Sequence, residues 1–145
     1  MSAVTETNLT TRNQLKGTVT KVATGSVMAE VTVEVHGEEV AAAITRHSVE
    51  RLNLREGDAV TVLVKATEVM LAKGPSRLDN LSTRNQIPGK VVGVETDSVM
   101  AEVRVDASGN EIVAAVTRNS VSRLGIAEGD EVLVLIKATE VMLAK

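Results

Sequence analysis

Valine at every second position is the most regular feature of the chain. Val27, Ala29, Val31, Val33 and Val35 alternate with Met28, Glu30, Thr32 and Glu34. A period of two sets the valines on one face of a strand and the polar residues on the other. Val60, Val62 and Val64 form a second alternating run, and residues 40–44, 69–71 and 17–22 read as three further short strands. Gly37 stands where a hairpin must turn between the strands at 27–35 and 40–44. Residues 45–52 break the alternation. Thr45 occupies an N-cap position there, with apolar Val49 and Leu52 three apart, which predicts a short helix.

The whole pattern is then written again. At a shift of about 72 residues, Leu9-Thr10-Thr11-Arg12-Asn13-Gln14 returns as Leu81-Ser82-Thr83-Arg84-Asn85-Gln86. Ser26-Val27-Met28-Ala29-Glu30-Val31 returns as Ser98-Val99-Met100-Ala101-Glu102-Val103. Glu56-Gly57-Asp58 returns as Glu128-Gly129-Asp130, and residues 137–145 repeat 65–73 without a change. The second helix, 117–124, ends at Gly125, a natural C-terminal stop. The register never slips. The expected organisation is an N-terminal tail (1–8), a first module (9–73), a linker (74–80) and a second module (81–145). Five short strands and one short helix per copy predict a mainly β chain of two tandem, small antiparallel barrels like the OB-fold.

Composition narrows the function. The chain has 145 residues, a net charge of −3, no cysteine and no aromatic residue. Missing cysteine removes disulfides, zinc–thiolate sites and thiol nucleophiles. Missing aromatics, with acidic residues interleaved among the basic ones, argue against nucleic acid, which is bound through basic patches and stacking platforms. No apolar run approaches the roughly 20 residues that span a bilayer, and the start is short and polar rather than signal-like. No membrane association and a cytoplasmic location are the expectations. A module of roughly 60 residues without aromatics has a marginal core, so a homo-oligomer is expected.

The duplication filters the candidate chemistry, because a role shared by both modules should recur. His36 aligns with Ser108 and His47 with Asn119, so neither histidine recurs. The recurring carboxylates, Glu30/Glu102 among them, read as a solvated face. No phosphate loop or nucleophile elbow is present, and no enzyme is expected. What recurs is a set of hydroxyl, amide and cationic groups: Thr10-Thr11-Arg12-Asn13 with Ser82-Thr83-Arg84-Asn85, Thr45-x-x-Ser48 with Thr117-x-x-Ser120, and Lys65-Ala66-Thr67 with Lys137-Ala138-Thr139. Each also has a purely structural reading, as a strand start, a helix cap and a solvated strand end. Together they suit an anion, which hydroxyls, backbone amides and a lysine can surround.

These motifs, in this order and found twice, resemble the molbindin (Mop, TOBE-type) family, over nearly all of both modules. The resemblance implies OB-like modules assembled as a homotrimer that holds molybdate or tungstate between modules, for non-enzymatic storage and homeostasis. The metal then enters as an oxyanion, with no metal ion directly liganded. Carried over by position, the oxyanion-binding residues are Thr10, Arg12, Thr45, Ser48, Lys65, Ala66, Ser82, Arg84, Thr117, Ser120, Lys137 and Ala138. Arg12, Arg84, Ala66 and Ala138 would offer backbone N–H groups. The backbones of Ser26, Val27, Met28 and Ala29, and of Ser98, Val99, Met100 and Ala101, would build a second class of site. The family often has Asn where Met28 and Met100 stand. The alternative reading is an anion-sensing regulatory or protein-interaction module without a storage role.

Overall fold

The structure, a computed structural model, describes residues 9–145; the expected tail at 1–8 lies outside the described residues. The first repeat contributes β1 (Asn13–Thr24), β2 (Met28–Val35), β3 (Glu38–Thr45), α1 (Arg46–Leu52), β4 (Ala59–Val64) and β5 (Met70–Lys73). The second contributes β6 (Asn85–Thr96), β7 (Met100–Ala107), β8 (Asn110–Thr117), α2 (Arg118–Leu124), β9 (Glu131–Ile136) and β10 (Met142–Ala144). A single 3-10 turn, Ala66–Glu68 or Ala138–Glu140, precedes the last strand of each repeat. β1 begins at Asn13, four residues before the expected 17, because Asn13 to Lys16 pair with β4 although they carry no apolar alternation.

Neither sheet belongs to one repeat. Two antiparallel five-stranded sheets run in the orders β10-β4-β1-β2-β3 and β5-β9-β6-β7-β8. The last strand of each repeat has crossed to the other. β5 pairs with β9, Met70 opposite Leu135 and Lys73 opposite Val132; β10 pairs with β4, Met142 opposite Leu63. The two registers correspond position for position, so the exchange is symmetric. Each sheet curls into a half-barrel, bringing β10 back towards β3 and β5 towards β8.

The alternating valines do what their period dictates. Val31, Val33, Val60, Val62 and their counterparts Val103, Val105, Val132 and Val134 are buried, and the buried residues of both repeats form one continuous core. Close curling needs a strand without a side chain at one point. A Cβ at Gly17 would sit 2.6 Å from the Glu34 carbonyl oxygen, and one at Gly89 2.6 Å from a Val105 methyl. A bulge between Val19 and Lys21, matched between Val91 and Gly93, adds the local bend.

Polar locks fasten the crossing. The Asn13 side-chain amide donates to the Val113 carbonyl (2.9 Å) and accepts from the Val113 N–H (2.7 Å). Asn85 treats Ala41 the same way, at 2.9 and 2.8 Å. Each asparagine thus imitates one residue of a neighbouring strand and pairs the outer edge of β8 or β3, edges that would otherwise be open. At the far end, Lys73 donates to the Gly125 carbonyl (2.9 Å) and Lys145 to the Asn53 carbonyl (2.8 Å). Gly125 and Asn53 are the left-handed C-caps of α2 and α1, where free carbonyls and the helix dipole favour a cation.

Candidate functional site

The helix starts are built as the pattern of residues requires. Thr45 adopts extended backbone at the N-cap of α1, and its Oγ1 accepts the Ser48 N–H at 3.1 Å. The Thr45 and Ser48 hydroxyls lie 2.9 Å apart. Thr117 and Ser120 repeat this at α2, with 3.1 Å for the cap and 2.8 Å between hydroxyls. Two hydroxyls sharing one hydrogen bond use one hydrogen and keep one. Each pair therefore caps its helix and still has an O–H to offer outward.

The strand exchange decides which motifs meet. The turn Ala66–Glu68 packs on β8, and Ala138–Glu140 packs on β3. Thr67 of repeat 1 therefore shares a groove with Ser120 of repeat 2, and Thr139 shares one with Ser48. One groove is lined by Thr67, Met70, Leu81, Thr83, Ser120 and Arg123. Its counterpart is lined by Ala43, Ser48, Arg51, Leu63, Thr139 and Met142. Lys65 and Lys137 are exposed at the N-terminal ends of their turns, with no cap hydrogen bond from the side chain.

Thr10 and Ser82 are exposed just ahead of β1 and β6. Leu81 and Thr83, the neighbours of Ser82, line the first groove; the lining of the second groove contains no residue from 9–12. Arg12 and Arg84 have committed side chains. Arg12 meets Glu102 at 2.5 Å, and Arg84 pairs with Glu30. Glu30 and Glu102 are part-exposed and serve as ion-pair partners that bridge the repeats. The Arg12 hydrogen bond holds the Glu102 carboxyl below its ordinary range and raises the Arg12 guanidinium. Both arginine side chains thus bridge the repeats. The sequence groups Asn13 and Asn85 with an anion motif; the structure gives them an edge-pairing role, and the signal for it is their place at the head of a strand.

Ser26 to Ala29 and Ser98 to Ala101 form the β1–β2 and β6–β7 turns and the first residues after them. Val27 is 70% exposed and Val99 65%, with Met28 and Met100 beside them. His36 and His47 are exposed, His36 in a tight turn at φ 48°. Among the described residues, no group of three His, Asp or Glu side chains is arranged to hold a metal ion. No helix there is long and apolar enough to cross a membrane.

The chain resembles known proteins over almost its full length. It is 38% identical to the molybdenum transport protein ModE of Azotobacter vinelandii over 135 residues, 92% of this chain and 49% of that protein. It is 38% identical to the molybdenum-pterin-binding protein MopA of Rhodobacter capsulatus over 138 residues, 92% of this chain and 51% of that protein. The chain thus spans about half the length of these curated relatives. The fold matches the cytoplasmic molybdate-binding protein ModG, solved with molybdate bound, at a TM-score of 0.88 and 38% identity, covering 94% of this chain and 97% of that one. The TOBE domain matches residues 9–71 and again 81–143. This chain belongs to the TOBE domain family and carries that domain twice.

Proposed function

We propose that this chain binds a tetrahedral oxyanion, molybdate or tungstate, and serves its storage and homeostasis in the cytoplasm as a binding protein rather than an enzyme. The observation that carries this reading is the crossing that packs the 3-10 turn of each repeat on β8 or β3 of the other and sets Thr67 in one groove with Ser120 and Thr139 in one with Ser48. It occurs in a fold shared almost end to end with a molybdate-bound protein. One set of donors is Thr45, Ser48, Lys137 and Ala138; the other is Thr117, Ser120, Lys65 and Ala66. Thr10, Ser82 and the backbones of Arg12 and Arg84 complete these sets from the chain entering β1 and β6. Residues 9–73 and 81–145 are the two modules, joined through 74–80.

Such a set needs no full opposing charge. Outward O–H groups, amide N–H groups and one ammonium can surround a dianion, and each hydrogen bond to an ionised acceptor is stronger than a neutral one. The grooves are open on one side, and exposed Val27, Met28, Val99 and Met100 leave apolar surface for neighbouring copies. A homotrimer that closes the grooves between modules fits both features. The test is thermal unfolding with molybdate, tungstate or sulfate. A ligand at a hundredfold excess over its Kd stabilises the native state by about 2.7 kcal/mol, which raises the midpoint by several degrees. An unchanged midpoint of the folded protein at saturating molybdate and tungstate overturns the proposal.

A further inference from the structure

Among the described residues, each of the two grooves is lined by one cation and by no carboxylate. Arg51 stands in one groove and Arg123 in the other, at corresponding positions of the two repeats, in a chain whose acidic residues outnumber its basic ones. Every other arginine has a partner. Four pair with carboxylates, and Arg55, Arg77 and Arg118 donate to oxygens of Asn53, Arg84 and Asp97. Arg51 and Arg123 make no hydrogen bond and no ion pair among the described residues.

The fold does not call for a guanidinium at either place. Both arginines sit in the last turn of a helix, where a cation offsets the helix dipole. That end is already served, because Lys145 donates to the Asn53 carbonyl and Lys73 to that of Gly125. Glu50, the carboxylate next to Arg51 in the chain, is held by Arg46 at 3.0 Å, and Ser122 takes its place in repeat 2. Residues three apart on a helix share a face, so Arg51 stands beside Ser48 and Arg123 beside Ser120. Each groove also holds a threonine, Thr139 or Thr67, and an apolar wall that includes Met142 or Met70. Walls of low dielectric focus the field of an unpaired charge into the groove.

We infer that Arg51 and Arg123 are oxyanion-binding residues, each supplying its groove with positive charge that balances a tetrahedral dianion. This inference rests on the proposed oxyanion binding and deepens it. With the one ammonium of the proposed donor set, a guanidinium matches the double charge of molybdate or tungstate. Its planar fork presents N–H groups to two oxygens of one ligand, which a hydroxyl or an ammonium does not do. The hydroxyls and amides then set the orientation of the ligand, and the arginine supplies the attraction.

The experiment is calorimetric titration of the full chain with molybdate at low and high sodium chloride, with thermal unfolding of the unliganded protein alongside. Arg51→Gln removes the charge from one groove and keeps a polar side chain. It weakens the binding steps of that groove at least about tenfold and leaves those of the Arg123 groove at parent affinity. Arg123→Gln does the reverse, and the double variant weakens both. Added salt costs the double variant less affinity than the parent, because a charge that salt screens is gone. Arg51→Lys keeps the charge without the fork and falls between the parent and Arg51→Gln. Arg55→Gln removes a positive charge outside both grooves and keeps the parent affinity. The unliganded midpoints stay at the parent value. A parent that binds molybdate, with both glutamine variants at parent affinity, overturns this inference and leaves the proposed function standing. An equal loss in Arg55→Gln also overturns it, by making the effect one of net charge. So does a lowered unliganded midpoint with unchanged salt dependence, which assigns the arginines to the fold. A parent that binds no molybdate overturns both.

Discussion

Residues 65–73 and 137–145 are identical, whereas the segments that stay within their own repeats have drifted apart. The first turn carries Gly25 where its counterpart carries Asp97, and the strands that receive the crossing segments differ too, with Thr61 on β4 where β9 carries Leu133. The identical segments are the ones that cross over. Each lies on a sheet built by the other repeat, in the same register, with Val69 or Val141 buried beneath it. A segment that must fit the other repeat's surface is bound by that surface, and two symmetric surfaces hold both copies to one solution. The turn at Gly25 and Asp97 lies away from the crossing, and there the two halves acquire different chemistry; Thr61 and Leu133 differ although each faces an alanine of a crossing strand, Ala144 or Ala72.

The harshest way to break this comparison is to remove a crossing segment. Deleting residues 137–145 strips β10 and its 3-10 turn from β4 and β3, uncovers that end of the core and removes the Lys145 lock on Asn53. A loss of at least about 4 kcal/mol is expected, of the size seen when large buried groups are removed, read by urea unfolding. Adding the nine-residue peptide in trans should recover part of it in a concentration-dependent way. A truncated chain with the parent midpoint would show that the crossing does not hold the fold together.

Next in size are the edge locks. Asn13→Ala leaves the buried N–H and carbonyl of Val113 without their partner, and Asn85→Ala does the same at Ala41, each costing about 1–3 kcal/mol in chemical denaturation. Symmetry requires the two losses to be close. A large difference would show that one crossing is the main tether. A smaller effect has the opposite sign. Thr61 is fully buried and its hydroxyl has no hydrogen-bond partner, while Leu133 fills the equivalent place. Thr61→Val should stabilise the chain by about 1 kcal/mol, the order of an unmet polar group, and raise the thermal midpoint by a few degrees.

The smallest effect concerns pH. Asp58, Asp97 and Glu102 all titrate below their ordinary range: Asp58 through the Arg55 N–H and then Lys145, Asp97 through the amides of its turn, Glu102 through Arg12. A carboxyl depressed in the folded state contributes stability above its unfolded pKa, and loses it as pH falls through the ordinary carboxylate range to its lowered folded value. Glu102→Gln should therefore flatten the fall in midpoint between about pH 7 and about pH 3. The change is slight, since the pair is solvent-exposed and screened.

Much of the fold is legible in the sequence. The period of two marked the strands because one face of each is buried. Thr45, Thr117 and Gly125 marked helix ends because free N–H groups and a left-handed turn select those residues. The exchange was not legible, for a reason contained in the sequence itself. With residues 65–73 and 137–145 identical, no pattern can tell which of two equivalent edges each one pairs with. The start of β1 was missed because Asn13 to Lys16 gain their place from pairing rather than from apolar alternation. The sequence alone does not tell the edge roles of Asn13 and Arg12 from a ligand role, because polar residues at a strand head serve an anion or an edge equally well, and only the facing strand decides.

The central claim is that each oxyanion site draws on both repeats, and a double-mutant cycle on molybdate affinity tests it most directly. Ser48→Ala is combined once with Lys137→Ala and once with Lys65→Ala, and each single and double variant is titrated with molybdate. Residues of one site couple, while distant ones add to within about 0.5 kcal/mol. The account predicts coupling between Ser48 and Lys137 and additivity between Ser48 and Lys65. Coupling of Ser48 to Lys65, within its own repeat, would contradict it.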